Sequence, residues 1–179
     1  HRAGEGLPRD PAIPANNRTY QGTLRLLINA IKARNQPQVR KLLTATNPEA
    51  IKNLDDLARY FVTADILRTL AVERFGETVV NEQLKNKGFF DVEADLMDKP
   101  WEQKPDGSYV QDSLLIRKNP EGNYDLDFDP LFQNPESGRQ FKDALANAEC
   151  MMKILNQKPP LNLEQFIAAI TMPVPAATK

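Results

Sequence analysis

Asp125, Asp127 and Asp129, at alternate positions in the stretch NPEGNYDLDFDP, are the residues whose type and spacing come nearest to chemistry in this chain. Counted from Asp125 they fall at positions 1, 3 and 5 of a loop that has Gln133 at 9 and Glu136 at 12. That is the ligand order of a calcium loop, in which carboxylates supply hard oxygens and a final glutamate binds through both of its own. Such a loop turns on glycine at position 6, where this chain has Pro130 with φ fixed at about −65°. The same stretch also reads as one strand, with Tyr124, Leu126 and Phe128 packed inward and three aspartates in water, and that is the preferred expectation.

Carboxylates could act in a second way, as a general acid and base held at a fixed separation. Asp95, Asp125 and Asp127 are the first suspects for such a pair. Other catalytic chemistry lacks its parts. The single histidine is His1, so a serine or cysteine nucleophile has no imidazole base within the body of the chain. With one histidine and one cysteine, Cys150, zinc sites built from those residues are not available. The eight glycines form neither G-x-G-x-x-G nor G-x-x-x-x-G-K-[ST], so the common nucleotide cradles are missing and no cofactor is expected. Trp101, lying between Pro100 and Pro105, and Tyr124, leading the aspartate strand, are the candidate contact residues for a partner or ligand.

The elements that must position these residues follow from periodicity. Tyr20, Leu24, Leu27, Ile28 and Ile31 recur at helical spacing, while Arg18, Arg25 and Lys32 fall on another face. A second, short helix carries Val39, Leu42 and Leu43, with Pro37 in its first turn. Asn47, Pro48 and Glu49 then open a long helix running to Gly76, and a short one over 78–87 stops at Gly88. In FFDVEADLM, Phe90, Val92, Ala94 and Leu96 alternate with Asp91, Glu93 and Asp95, which predicts a half-buried strand. The turn sequences KPDGS and NPEGN bracket YVQDSLLIR, and YDLDFD follows, giving an antiparallel meander of three or four strands, with Trp101 to Gln103 a candidate for one of them. Pro135 and Glu136 open a helix carrying Phe141, Leu145, Ala148, Met152 and Leu155, and Leu163 to Ile170 form the last one. Helices, then a small sheet, then two helices make an α+β class: a leader at 1–18, one domain over 19–171 and a tail at 172–179.

The segments DGSYVQDSLLIRKNPEGNYDLDF and LLINAIKARNQPQVRKLL resemble the nuclear transport factor two-like domains over residues 19–130. The resemblance rests on a turn, a strand ending in basic residues, Glu121-Gly122-Asn123-Tyr124 leading the closing strand, and a helix, polar break and second helix upstream. It implies a cone-shaped α+β fold whose curved sheet wraps a long helix around a pocket. Some members are enzymes that use an Asp-His pair in that pocket. With no histidine there, the resemblance implies a non-catalytic or differently equipped relative, and no catalytic residue carries over.

Charge narrows the partner. The formal net charge of −1 gives no general attraction to nucleic acid or anionic membrane. No apolar run approaches the roughly 20 residues that cross a bilayer, so a soluble chain is expected. Residues 11–48 carry six bases and no acid, whereas 77–136 carry fourteen acids and six bases, so a basic and an acidic end are expected. The leader, HRAGEGLPRDPAIPANN, has little to bury, and processing after export accounts for it as well as a cytoplasmic origin does. The expectation is a non-enzymatic interaction or ligand-binding domain for an unknown protein or small molecule. A carboxylate enzyme and a calcium-stabilised module are the alternatives.

Overall fold

Asn47 caps a helix as its sequence predicts, and Thr19 and Asn35 cap the two helices before it. Thr19 accepts the N–H of Gly22 at 2.9 Å ahead of α1 (Tyr20–Lys32), and Asn35 accepts that of Gln38 at 3.2 Å ahead of α2 (Gln36–Leu42). Asn47 accepts that of Glu49 at 2.8 Å ahead of α3 (Pro48–Lys52). These bonds satisfy N–H groups that a helix leaves open in its first turn. The computed structural model describes residues 14–171; the leader up to residue 13 and the tail at 172–179 lie outside the described residues.

Among the described residues the fold is α+β, with eight α-helices and a five-stranded mixed sheet, and most of the strands stand between N-terminal and C-terminal helices. Contacts divide the chain into two compact units. One runs up to Val62 and resumes at Val92–Arg139; the other comprises Thr63–Asp91 and the residues from Gln140 onward.

The first unit holds the sheet, in the order β1-β5-β4-β3-β2. Strands β2 (Glu102–Gln103), β3 (Tyr109–Gln111), β4 (Leu114–Lys118) and β5 (Tyr124–Asp127) are the expected antiparallel meander. YVQDSLLIR is two strands rather than one, because Asp112 takes φ 53° and turns the chain between Gln111 and Leu114. Aspartate tolerates that left-handed conformation better than most side chains. Strand β1 (Leu43–Thr44) pairs in parallel with β5, Leu43 opposite Leu126. The sequence places Leu43 on a helix, and two residues are too few to show a strand period. Tyr109, Ile116, Leu126 and Leu43 stand in register on one face, which the buried side of α1, Leu24, Leu27, Ile28 and Ile31, helps to fill.

Two expected elements differ. FFDVEADLM is not a strand: Val92–Met97 form helix α6. Val92 and Leu96 are buried four residues apart with Met97 beside them, a helical face that the alternation with Asp91, Glu93 and Asp95 concealed. The long helix is also interrupted, because α4 (Leu54–Phe75) begins afresh after α3. Buried Asn53 donates its side-chain amide to Glu49 O at 2.7 Å, and its backbone N–H bonds to Ala50 O at 3.0 Å. An asparagine that competes for the backbone in this way breaks the i to i+4 ladder.

The second unit has its own core of Leu67, Ala71, Val80, Leu84, Phe89, Met151, Leu155 and Phe166. Phe166 of α8 (Leu163–Thr171) meets the Phe89 ring edge-on at 5.7 Å. The short helix expected over 78–87 is α5 (Glu77–Val79) continued by a π turn (Val80–Leu84) and a 3-10 turn (Lys85–Lys87), ended by Gly88 at φ 103°. Arg68, 8% exposed on α4, donates to Asn81 Oδ1 at 3.0 Å and to Phe89 O at 3.3 Å, bonding to both the π turn and the chain after Gly88. Helix α7 (Pro135–Leu155) supplies Met151 and Leu155 to this core.

Candidate functional site

The aspartates emerge from β5 on the face opposite Leu126, but each is drawn into a separate local network. Asp125 accepts from the Asn119 amide at 2.9 Å, and the same asparagine accepts the N–H groups of Glu121 and Asn123 within the NPEGN turn. Asp127 was expected in water and is instead 7% exposed. Its carboxylate pairs with Arg117 at 2.9 Å and accepts the N–H of Asp129 at 2.9 Å. Burying this charge is tolerable because a guanidinium and a backbone donor meet it.

Asp129 lies beyond the strand, at the start of a 3-10 turn (Asp129–Phe132). It accepts from the Thr46 N–H at 2.9 Å, the Thr46 hydroxyl at 2.6 Å and the Asn47 N–H at 2.8 Å, fastening the loop before α3. Partial burial works to raise its pKa, but the Thr46 hydroxyl, the Asn47 and Thr46 N–H groups and the charge of Arg117 outweigh it and hold the carboxyl below its ordinary value. Glu136 bonds to Arg139 one turn along its own helix, which likewise lowers its pKa. Asp95 pairs with Lys99 at 3.6 Å on α6 and its flank.

The calcium spacing is therefore present in sequence but not gathered in space. Among the described residues, no group of three or more histidine, cysteine, aspartate or glutamate side chains is disposed to hold a metal ion. Pro130 sits in the 3-10 turn that takes the place of a glycine-centred loop. Arg117, opposite Asp125 in the sheet register, supplies the positive charge that pairs with Asp127. The displaced carboxyls, Asp106 (through the Ser108 hydroxyl and N–H), Asp129 and Glu136, all shift downward. A general acid at neutral pH requires the opposite direction.

The basic face of α1 is similarly occupied. Arg25 meets Glu93 of α6 at 3.2 Å with its side chain 14% exposed, and Lys32 has an interaction partner of its own.

The candidate contact residues fare differently from one another. The Trp101 indole donates to Leu96 O at 2.8 Å, closing the C-terminal end of α6, and its ring is half-buried. Tyr124 belongs to a cluster that sequence spacing does not reveal. The Tyr20 ring of α1 stacks on that of Tyr109 at 3.8 Å and 17°, and Tyr109 meets Tyr124 at 6.1 Å. Lys118 Nζ lies 5.8 Å from the Tyr124 ring. All three tyrosines are partly exposed, and they come from three distant parts of the chain. Burial raises the pKa of Tyr20, with the neighbouring Tyr109 adding to it, and burial followed by Tyr124 does the same to Tyr109. These two phenols thus keep their protons well above neutrality, and such rings offer apolar faces with a hydrogen-bonding rim. Tyr20 was legible as part of the α1 face. Tyr109 could be found only by recognising the turn at Asp112.

The backbone around the cluster is fixed from the N-terminal side. Asn17 O accepts the Tyr124 N–H at 2.7 Å, and the Thr23 hydroxyl donates to Tyr124 O at 2.9 Å. The chain at Pro14 to Asn16 passes so close to α1 that a Cβ on Gly22 would lie 2.1 Å from Asn16 O and 2.9 Å from Pro14 O. Only glycine permits that approach.

Comparison with protein-family models, with curated proteins and with solved structures finds no match. No helix of the described residues is long and apolar enough to cross a membrane.

Proposed function

We propose that this chain is a non-enzymatic binding module whose contact surface is the tyrosine cluster of the first unit, Tyr20, Tyr109 and Tyr124 with Lys118 at its edge. The observation that carries the reading is the contrast between the two kinds of candidate. Every acid suspected of chemistry is committed to a lysine, arginine, amide or backbone partner, whereas the three rings are assembled from α1, β3 and β5 and remain partly open. Tyrosine gives large, rigid contact area at a small cost in conformational entropy, which suits recognition rather than turnover.

The test has two arms. A panel of peptides and small molecules is screened by thermal shift, with hits repeated on Tyr109→Ala and Tyr124→Ala; binding that these substitutions abolish supports the module. In parallel the chain is offered ester, glycoside and phosphoester substrates. Turnover that disappears in Asp125→Asn or Asp127→Asn overturns it in favour of the carboxylate enzyme.

A further inference from the structure

Tyr20 and Tyr109 come from distant parts of the chain, yet their rings stack at 3.8 Å and 17°. That is closer than the roughly 4.5–7 Å at which aromatic pairs usually rest. The contact is held by backbone on both sides. Asn17 O accepts the Tyr124 N–H at 2.7 Å and the Thr23 hydroxyl donates to Tyr124 O at 2.9 Å, so the chain entering α1 is fastened to β5 before and after Tyr20. Tyr109 is fixed by its place in β3, opposite Gln103 of β2 and Ile116 of β4. Both rings are partly exposed, so a small oxidant and water reach them. Two phenols held face to face at the surface have a chemistry that neither has alone.

We infer that Tyr20 and Tyr109 form an oxidative cross-linking site, at which a one-electron oxidant joins the two rings as an intramolecular dityrosine and staples α1 to β3. The inference goes beyond the binding-module reading and does not depend on it. Each ring gives one electron to the oxidant and its phenolic proton to water. The two phenoxyl radicals then bond through a carbon ortho to each oxygen, and the hydrogens on those carbons move to the oxygens, restoring two phenols. The net change is one carbon–carbon bond formed and two hydrogen atoms lost. Tyr124 is the poorer partner. Its ring lies 6.1 Å from Tyr109 and is tilted by 58°, so the two do not face each other, and Lys118 Nζ, 5.8 Å from its centroid, opposes the removal of an electron there. A bond between Tyr20 and Tyr109 closes a long loop of chain, which restricts the unfolded state as a disulfide does.

The experiment uses the full chain at low micromolar concentration, where encounters between chains are rare. It is illuminated briefly with ruthenium tris(bipyridyl) and persulfate, one persulfate accepting both electrons and leaving as two sulfates. Coupling of free tyrosine in a parallel sample confirms that the oxidant is active. The expected product is a monomer that is lighter by two hydrogens, carries dityrosine fluorescence, yields on digestion a peptide pair joined at Tyr20 and Tyr109, and melts several degrees higher. Tyr20→Phe and Tyr109→Phe, which keep the stacked rings without one phenol, should lose the monomer's fluorescence, whereas Tyr124→Phe and Tyr60→Phe should keep it. The peptide map of the wild-type chain decides the matter whether or not a variant folds. Fluorescence confined to covalent dimers, a bond mapped to Tyr60 or Tyr124, or no cross-linked monomer at all overturns the inference. The binding-module reading survives any of these results, because its own test is the ligand screen.

Discussion

Replacing Asp129 by alanine removes the acceptor for three donors at once: the Thr46 N–H, the Thr46 hydroxyl and the Asn47 N–H. A hydrogen bond to an ionised acceptor contributes about 1.5–3 kcal/mol, and donors able to regain water lose little. Thr46 is exposed and recovers water, while Asn47 is partly buried beneath α3, so the cost is about 2–3 kcal/mol. For a chain of this size that lowers Tm by roughly 5–10 °C. The Thr46 and Asn47 donors hold the carboxyl's pKa below the ordinary aspartate value in the folded protein, so its contribution is fully present above that ordinary value and fades as the pH falls through the folded pKa. Urea unfolding of wild type and Asp129→Ala at pH 7 and at steps down to pH 3 should show a constant gap that narrows only below about 4. Asp129→Asn, which keeps one acceptor oxygen without the charge, should fall between them. A loss under about 0.5 kcal/mol at pH 7, or a gap that widens on acidification, would refute the assignment of Asp129 as the fastener of the α3 loop.

Gly22→Ala sets a methyl against the backbone oxygens of Asn16 and Pro14, so residues 14–17 must shift; a loss of about 1–3 kcal/mol is expected, with faster hydrogen exchange at the Tyr124 N–H. Arg68→Ala leaves Asn81 and Phe89 O without their buried donor and should cost about 2–4 kcal/mol, seen by exchange mass spectrometry as deprotection centred on 77–91. Alkaline absorbance titration should show Tyr20 ionising above the ordinary tyrosine value, and Tyr109→Ala should bring it back toward that value by admitting water. Millimolar calcium should leave Tm unchanged, since Asp125, Asp127 and Asp129 are already engaged by protein groups; a rise of several degrees would show that an ion displaces Arg117.

Local signals in the sequence translated well into structure. Asn47 caps the helix it was expected to cap, and the NPEGN turn forms on Asn119 and Gly122. Where two periods fitted the same residues, the choice depended on packing that periodicity does not carry. At 92–97, alternation and a helical face coincide over six residues, and burial of Val92 and Leu96 decided for the helix. Asn53 ends α3 through one side-chain bond, which no apolar pattern records. Partner assignments were the least legible. Asp125, Asp127 and Asp129 look alike in sequence, yet an asparagine, an arginine and a pair of loop N–H groups separate their fates. The tyrosine cluster was hidden for the same reason, since its members are more than a dozen residues apart and meet only when β3, β4 and β5 pair and Tyr20 of α1 stacks on Tyr109.

The division of the chain into units has a consequence for synthesis. Residues Thr63–Asp91 are made in the middle of the first unit's sequence, but the partners that bury Leu67, Val80 and Phe89 arrive only with Met151, Leu155 and Phe166. A growing polypeptide therefore carries that apolar segment without Met151, Leu155 and Phe166 until residue 166 has left the ribosome, while the sheet can already close on β1 once Asp127 is out. A chain cut just before Phe166 should thus be more prone to aggregation than one cut just after Thr171. A chaperone that holds the nascent chain would act mainly on the stretch between residues 63 and 91.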